Sequence, residues 1–378
     1  MKLFQRKQNI QDNVVPKRVL VVYGPRRVGK TTILKDYLST QIGRVLYSTG
    51  DDIAMRQIFA SEERSKVLSF ADSYDVIGID EAQQITSIGL GIKMIIDEFP
   101  EKNIILTGSS SLDLSRQVGE PLTGRHFELL LLPISLQEMG LGAFELDSNS
   151  EKFLLYGSYP EVLLESDTQM KVKILKELVS SYLFKDVLAL EKIKSPGLLL
   201  DITKCLAFQI GNEVSHNEIA TTVGANTKTV ARYLDLLEKM FVIKKVRGYS
   251  KNLRNEISKK AKYYFVDVGI RNAVIANFNP LDTRDDIGGL WENFIFMELF
   301  KKRNAEGNPG EFYFWRTHTG KEVDIVIESE RGLEAFEVKW KKDKAKTPHL
   351  WNTTYPESSF TVISKNNYLD ILVSDKNK

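Results

Sequence analysis

Gly24-Pro25-Arg26-Arg27-Val28-Gly29-Lys30-Thr31-Thr32 stands between a short β-branched run, Lys17-Arg18-Val19-Leu20-Val21-Val22-Tyr23, and a segment with helical spacing, Ile33-Leu34-Lys35-Asp36-Tyr37-Leu38. Strand, GxxxxGK[ST], helix is the context that separates a phosphate-binding loop from a chance match. Gly24 and Gly29 let the backbone curl so that successive N–H groups converge on phosphate, and the start of the helix adds its partial positive charge. Lys30 is placed to reach the β- and γ-phosphates, and the Thr31 hydroxyl to ligate Mg²⁺. The expected ligands are ATP and Mg²⁺, with residues 24–32 lining the nucleotide.

A loop of this kind needs an acidic partner at the end of a neighbouring strand, and Tyr74-Asp75-Val76-Ile77-Gly78-Ile79-Asp80-Glu81 supplies one. Its unbroken apolar run suits a parallel strand covered on both faces. Asp80 then completes the metal shell with Thr31, and Glu81 stands where a base polarises the attacking water. A third buried run, Asn103-Ile104-Ile105-Leu106-Thr107, ends in Gly108-Ser109-Ser110-Ser111. Its polar end is expected between the first two sites. There Ser109 either senses the γ-phosphate or belongs to a plain turn. Further on, Leu122-Thr123-Gly124-Arg125 precedes the apolar stretch 127–132. Arg125 reads equally as an arginine finger and as a surface ion pair, and a finger acting in trans requires an oligomer.

The ordered set GPRRVGKTT, VIGIDEAQ, ILTGSSS, LTGR with LLPISLQEMG, then Tyr156-Gly157-Ser158-Tyr159-Pro160-Glu161, resembles the archaeal-type AAA-like ATPases. These are prokaryotic predicted ATPases with a C-terminal domain of unknown function. The resemblance runs over nearly the whole chain. Ser158 departs from it, since a second glycine is usual there. It implies an α/β fold in which a P-loop NTPase parallel sheet of the AAA-like type is followed by a small helical lid.

Residues from about 165 to 210 turn charged and helical, as in Met170-Lys171-Val172-Lys173-Ile174-Leu175-Lys176-Glu177-Leu178-Val179. Residues 217–234 read as a helix-turn-helix, with Gly224 in the turn and Asn226 or Thr227 as cap. Val230, Tyr233, Leu234, Leu237 and Phe241 share one helical face, which leaves Lys228, Thr229 and Arg232 for nucleic-acid contacts. Val242-Ile243-Lys244-Lys245-Val246-Arg247 reads as a wing strand. Residues 242–262 hold eight Lys or Arg against one Glu, a local basic patch. Winged helices also dock proteins, so DNA and a protein partner both stay open.

In the C-terminal part a helix, 290–299, precedes two strands, 320–327 and 333–340. Period-2 geometry puts Glu337 and Lys339 on one strand face, with Phe336, Val338 and Trp340 on the other. Asp324 and Glu337 suit Mg²⁺, with Lys339 beside them to orient a water. This arrangement resembles the PD-(D/E)xK, restriction-endonuclease-like fold, which such ATPases are thought to carry at their C-terminus. That fold takes one more acid from the preceding helix. Glu292 shares a face with Ile295, Phe296 and Leu299 and is preferred over Glu298. An inactive nuclease-like module with ordinary ion pairs is the competing reading.

The whole chain carries a net charge of +2 over 378 residues, so any nucleic-acid surface is local. The single Cys205 excludes an intramolecular disulfide and a cysteine-based zinc site and suits a reducing compartment. No apolar run is long enough for a membrane span, and the cytoplasm is the expected location. The expected segments are an ATPase domain at 1–163, the lid at 164–208, the winged helix at 209–265 and the nuclease-like domain at 280–376. The expected function is an ATPase coupling nucleotide state to its C-terminal half. The alternatives are an ATP-licensed DNA nuclease and a nucleotide-binding, protein-docking module with little turnover. Expected partners are ATP, DNA, and a protein or a second copy of the chain.

Overall fold

The structure is a computed structural model that describes residues 4–109, 122–180, 195–250, 261–317 and 319–373. The chain divides into two compact units, one of Arg6–Leu132 with Lys239–Phe241, the other of Met1–Gln5, Pro133–Glu238 and Val242–Lys378. The border after residue 163 expected from sequence thus falls at Pro133. The segments expected as winged helix, 209–265, and nuclease-like domain, 280–376, fall in that second unit apart from Lys239–Phe241.

In the first unit β1 (Val19–Tyr23), β2 (Val45–Thr49), β3 (Val76–Asp80), β4 (Asn103–Gly108) and β5 (His126–Leu130) form a parallel sheet in the order β2-β3-β4-β1-β5. The continuous apolar runs of β1, β3 and β4 are explained by packing on both faces. Val19, Val21, Ile77, Ile79, Ile104 and Leu106 face one core, with Phe59 and the Ile88–Glu98 helix. Alternation turns Leu20, Val22 and Gly78 to the other face. There Gly78 meets Leu34 and Leu38 of the helix Lys30–Ser39, and a Cβ at residue 78 would stand 2.6 Å from Leu38 Cδ1. Glycine is what lets that helix rest on β3.

The second unit is built on a mixed seven-stranded sheet. Its strands are β6 (Glu213–Val214), β7 (Ile243–Gly248), β8 (Ala261–Phe265), β9 (Glu311–Arg316), β10 (Glu322–Ser329), β11 (Gly332–Val338) and β12 (Ser359–Ile363). The order is β12-β11-β10-β9-β7-β8-β6. β7 runs parallel to β9 through Arg247↔Tyr313 and Gly248↔Phe314, and antiparallel to β8. The expected wing strand is therefore an interior strand of a larger sheet, with a partner on each edge. Residues 251–260, between β7 and β8 in sequence, lie outside the described residues.

The helices Thr168–Ser180 and Pro196–Phe208 fall in the expected lid segment; residues 181–194 lie outside the described residues. The helix-turn-helix is His216–Thr222 and Thr227–Lys239 around Gly224, whose φ is +65°. Asn226 Oδ1 accepts from Thr229 N at 2.8 Å, so Asn226 is the cap. Val230, Tyr233, Leu234 and Leu237 form the buried stripe. Phe241 does not join them, because the helix stops at Lys239 and residue 241 takes a φ of +57°. The helix Ile287–Ala305 buries Trp291, Ile295 and Phe296, and Tyr264 stacks on Phe296 at 4.1 Å. Strands β9, β10 and β11, the helix His349–Thr354 and β12 follow it in sequence.

Candidate functional site

The loop between β1 and the helix Lys30–Ser39 is shaped by three left-handed residues. Gly24 (φ +143°), Arg27 (+57°) and Gly29 (+101°) turn the chain. A Cβ on residue 24 would lie 2.0 Å from Leu131 O, so only glycine fits there. Gly24, Pro25 and Val28 are buried, Arg26 and Gly29 half-buried, and Arg27 and Thr32 exposed. Lys30 is 5% exposed. Its ammonium donates to Gly24 O at 2.9 Å and Pro25 O at 2.7 Å, across the mouth of its own loop.

The strand order brings the second set of groups to this loop. All five strands are parallel, so β1, β3 and β4 end on the same edge, with β4 between the other two. Thr31 Oγ1 donates to Asp80 Oδ2 at 2.6 Å. Thr107, on β4, donates to Asp80 Oδ1 and accepts from Glu81 N at 3.2 Å. Glu81 itself has a φ of +50°, a sparsely populated backbone state for a non-glycine residue. Gln83 Nε2 donates to Glu81 Oε2 at 2.5 Å and to Ser109 Oγ at 3.3 Å. Lys30, Thr31, Asp80, Glu81 and Ser109 thus all belong to one edge of the sheet.

Thr107, Gln83 and Tyr47, whose hydroxyl is 3.4 Å from Asp80 Oδ2, were not singled out from sequence. Gln83 had a readable signal, since it follows Asp80-Glu81 within the same motif.

Arg125 does not join this edge. It immediately precedes β5, whose first residue, His126, is in register with Val19 at the start of β1. Five strand residues at about 3.3 Å each put it roughly 16 Å from the P-loop end. Its Nε pairs with Asp97 Oδ1 at 3.0 Å, both side chains 41% exposed. The finger reading within one chain is therefore corrected to a surface ion pair.

Of the helix-turn-helix residues, Lys228 and Arg232 are exposed, whereas Thr229 is half-buried in the first turn beside its cap. Arg232 lies over the Tyr233 ring at 5.4 Å. In the basic run 242–262, Lys262 is 1% exposed and so contributes nothing to a surface patch.

The C-terminal acids are brought together, with two lysines among them. Glu337 pairs with Lys339 at 2.6 Å, and Lys339 stands 3.7 Å from Asp324 Oδ2. Asp324 Oδ2 also accepts from Val338 N at 2.8 Å. Glu292 Oε1 accepts from Lys262 Nζ at 2.9 Å and Tyr264 Oη at 2.6 Å. Lys262 pairs in addition with Glu322 at 2.5 Å. Burial pushes the Glu292 carboxyl up to about 7, against the pull of Lys262 and with the push of Asp324. Glu298, the rejected helix acid, is engaged elsewhere, with Leu136 N at 2.8 Å and Lys301 at 2.7 Å. Among the described residues no group of three or more His, Cys, Asp or Glu is arranged to hold a metal ion. The Mg²⁺ expected from Asp324 and Glu337 with Glu292 does not fit this arrangement. Lys262, Tyr264 and Glu322 escaped the sequence reading because nothing local marks them.

A P-loop at the carboxyl edge of a β2-β3-β4-β1-β5 parallel sheet, with the acidic strand two places away, defines a P-loop NTPase domain. In agreement, residues 16–140 match the family model described as AAA domain. Residues 148–281 and 287–366 match two models described as domains of unknown function, DUF8612 and DUF4143. An uncharacterized protein of Haemophilus influenzae is 25% identical over 95% of this chain and 89% of its own length. One of Methanocaldococcus jannaschii is 25% identical over 97% and 89%. Among solved structures, the replication initiator DnaA bound to AMPPCP and single-stranded DNA is 18% identical, covering 60% of this chain and 84% of that one, with a TM-score of 0.29. A RuvB variant of Thermotoga maritima is 14% identical over 63% and 84%, also at 0.29. The fold rests on the strand order β2-β3-β4-β1-β5. No helix of the described residues is long and apolar enough to cross a membrane.

Proposed function

We propose that the chain binds ATP with Mg²⁺ at its P-loop and hydrolyses it. The observation that carries this reading is the 2.6 Å bond between Thr31 Oγ1 and Asp80 Oδ2. It places a hydroxyl and a carboxylate, both hard oxygen ligands, beside a buried lysine at a glycine-bent loop. That donor set suits Mg²⁺, which when bound neutralises charge on the β- and γ-phosphates. Lys30 leaves the Gly24 and Pro25 carbonyls for the phosphate oxygens, and the loop amides at the helix start hold the rest of the phosphate chain. Glu81 accepts a proton from the attacking water. Gln83 holds the Glu81 carboxylate, and Ser109 senses the γ-phosphate.

Titration with a fluorescent ATP analogue, followed by phosphate-release assays, tests both halves. Lys30→Ala is expected to weaken nucleotide binding at least about tenfold, roughly 1.4 kcal/mol. Unchanged affinity in that variant would remove the site.

The exposed Lys228 and Arg232 on the second helix of the helix-turn-helix favour nucleic acid as the macromolecular partner. Duplex DNA is expected to stimulate ATP turnover in the wild type and not in Lys228→Ala/Arg232→Ala. Turnover indifferent to DNA would favour a protein partner instead.

A further inference from the structure

The acid cluster of the second unit holds four carboxylates, and two lysines of the chain stand among them. Glu292 comes from the helix Ile287–Ala305, Glu322 and Asp324 from β10, and Glu337 from β11. Lys339 takes the sheet side, at 2.6 Å from Glu337 and 3.7 Å from Asp324. Lys262 takes the helix side. It is carried by β8, a strand of the winged-helix hairpin, and its side chain is 1% exposed. Its ammonium bridges Glu292 Oε1 at 2.9 Å and Glu322 Oε1 at 2.5 Å. The Phe314 ring lies 5.5 Å from the same nitrogen. A buried lysine stays charged only where carboxylates surround it, and here Glu292, Glu322 and Asp324 outweigh the cost of burial and hold its proton on.

We propose that Lys262 is the resident cation of this cluster, joining the helix acid to the sheet acids where a nuclease of this architecture would use a divalent metal ion. Glu292 Oε1 already accepts from Lys262 and Tyr264. A divalent ion on that oxygen would face the ammonium at contact distance and be repelled by it. One feature pulls the other way, since Glu337 Oε2 is buried without a hydrogen-bond partner. It lies on the Lys339 side, where one carboxylate besides it, Asp324, is near the ammonium. The helix acid needed for a third ligand is held by Lys262. These ion pairs therefore tie β8 to β10 and to the helix Ile287–Ala305, and the tie is independent of metal. This inference does not rest on the ATPase reading.

The test is Mn²⁺ binding and thermal unfolding of the full chain without nucleotide, in an Asp80→Asn background that silences the P-loop. The parent protein is expected to bind no Mn²⁺ at the cluster, and its unfolding midpoint to differ by less than about 1 °C between EDTA and millimolar Mn²⁺. Lys262→Met is expected to melt lower in EDTA, to recover in Mn²⁺, and to gain one Mn²⁺ site that Asp324→Asn abolishes. Lys262→Arg keeps the charge and is expected to stay indifferent to Mn²⁺. Should Lys262→Met fail to fold, Lys262→Met/Glu322→Gln removes one charge of each sign and is expected to gain the same site. Mn²⁺ binding by the parent that Asp324→Asn removes would overturn the proposal. So would a Lys262→Met or double variant that folds and gains no Mn²⁺ response.

Discussion

Thr31 and Asp80, 49 positions apart in sequence, share a 2.6 Å hydrogen bond that closes the P-loop helix onto the end of β3. Asp80 Oδ1 is taken at the same time by Thr107 of β4, so two neighbouring strands and the P-loop helix meet at one carboxylate. Asp80→Asn keeps the shape and removes the charge. It is expected to leave the fold intact and to lower ATP turnover on the order of 10²-fold, most severely at limiting Mg²⁺. A turnover-against-Mg²⁺ curve that superposes on the wild type would show that Asp80 has no part in the metal shell.

On the proposed function, substitutions at Glu81 and Gln83 are expected to separate chemistry from binding. Glu81→Gln is expected to reduce kcat by roughly 10² to 10⁴, the range of a positioned general base, with nucleotide affinity retained. Gln83 touches Glu81 and Ser109 and acts by positioning. Gln83→Ala is therefore expected to lower kcat about tenfold, roughly 1.4 kcal/mol in the barrier, and to leave KM near its original value. A rise in KM with kcat unchanged would place Gln83 in binding instead.

Arg125 yields the opposite expectation. Its pair with Asp97 is exposed on both sides, and such pairs contribute about 0 to 1 kcal/mol. Arg125→Ala should change turnover by less than about twofold, since among the described residues its guanidinium takes part in an exposed pair of that strength. A drop of two orders of magnitude, restored by mixing with a Lys30→Ala chain, would instead show a finger supplied by a second copy.

The contrast between these sites shows what the sequence discloses. The P-loop and the strand ending in Asp80 are legible because strand, glycines, lysine and threonine are consecutive, and because β3 is buried enough to read as one apolar run. Arg125 reads both ways in the sequence because its end of the sheet is fixed by the parallel pairing of β5 with β1, a register that residues 122–132 do not encode locally. The same holds for the acid cluster. Asp324, Glu337 and Lys339 follow from strand alternation. Lys262 reaches Glu292 from 30 positions away and Glu322 from another sheet strand, and the joining of β7 to β9 that makes this possible rests on two residue pairs. Lys262 sits in a run of basic residues that reads as a local surface patch, yet the fold buries it.

Asp286 supplies a test of how the second unit resists acid. It pairs with Arg271 and Arg284, whose side chains are both 1% exposed, the latter at 2.7 Å. Arg271 also donates to Ala207 O at 2.9 Å and Arg284 to Asn272 Oδ1 at 3.0 Å, so one carboxylate organises a buried guanidinium pair. Burial by itself would raise the Asp286 carboxyl, but the two arginines outweigh it and hold it at about 2 in place of 3.8. The folded carboxyl releases its proton more readily than the unfolded one, so between pH 4 and 2 the unfolded chain binds more protons and acid favours unfolding. The contribution is present in full above the unfolded value and is lost as pH falls through the folded one. Discounted for partial solvent access, it is on the order of 1 to 2 kcal/mol. Urea unfolding of the full chain across this range should show stability falling with acid, and Asp286→Asn should flatten that dependence. The same variant leaves two buried guanidinium groups without their counter-charge, at a cost of about 3 to 5 kcal/mol near neutral pH. A variant with the wild-type acid slope would mean that Asp286 is not the group that titrates.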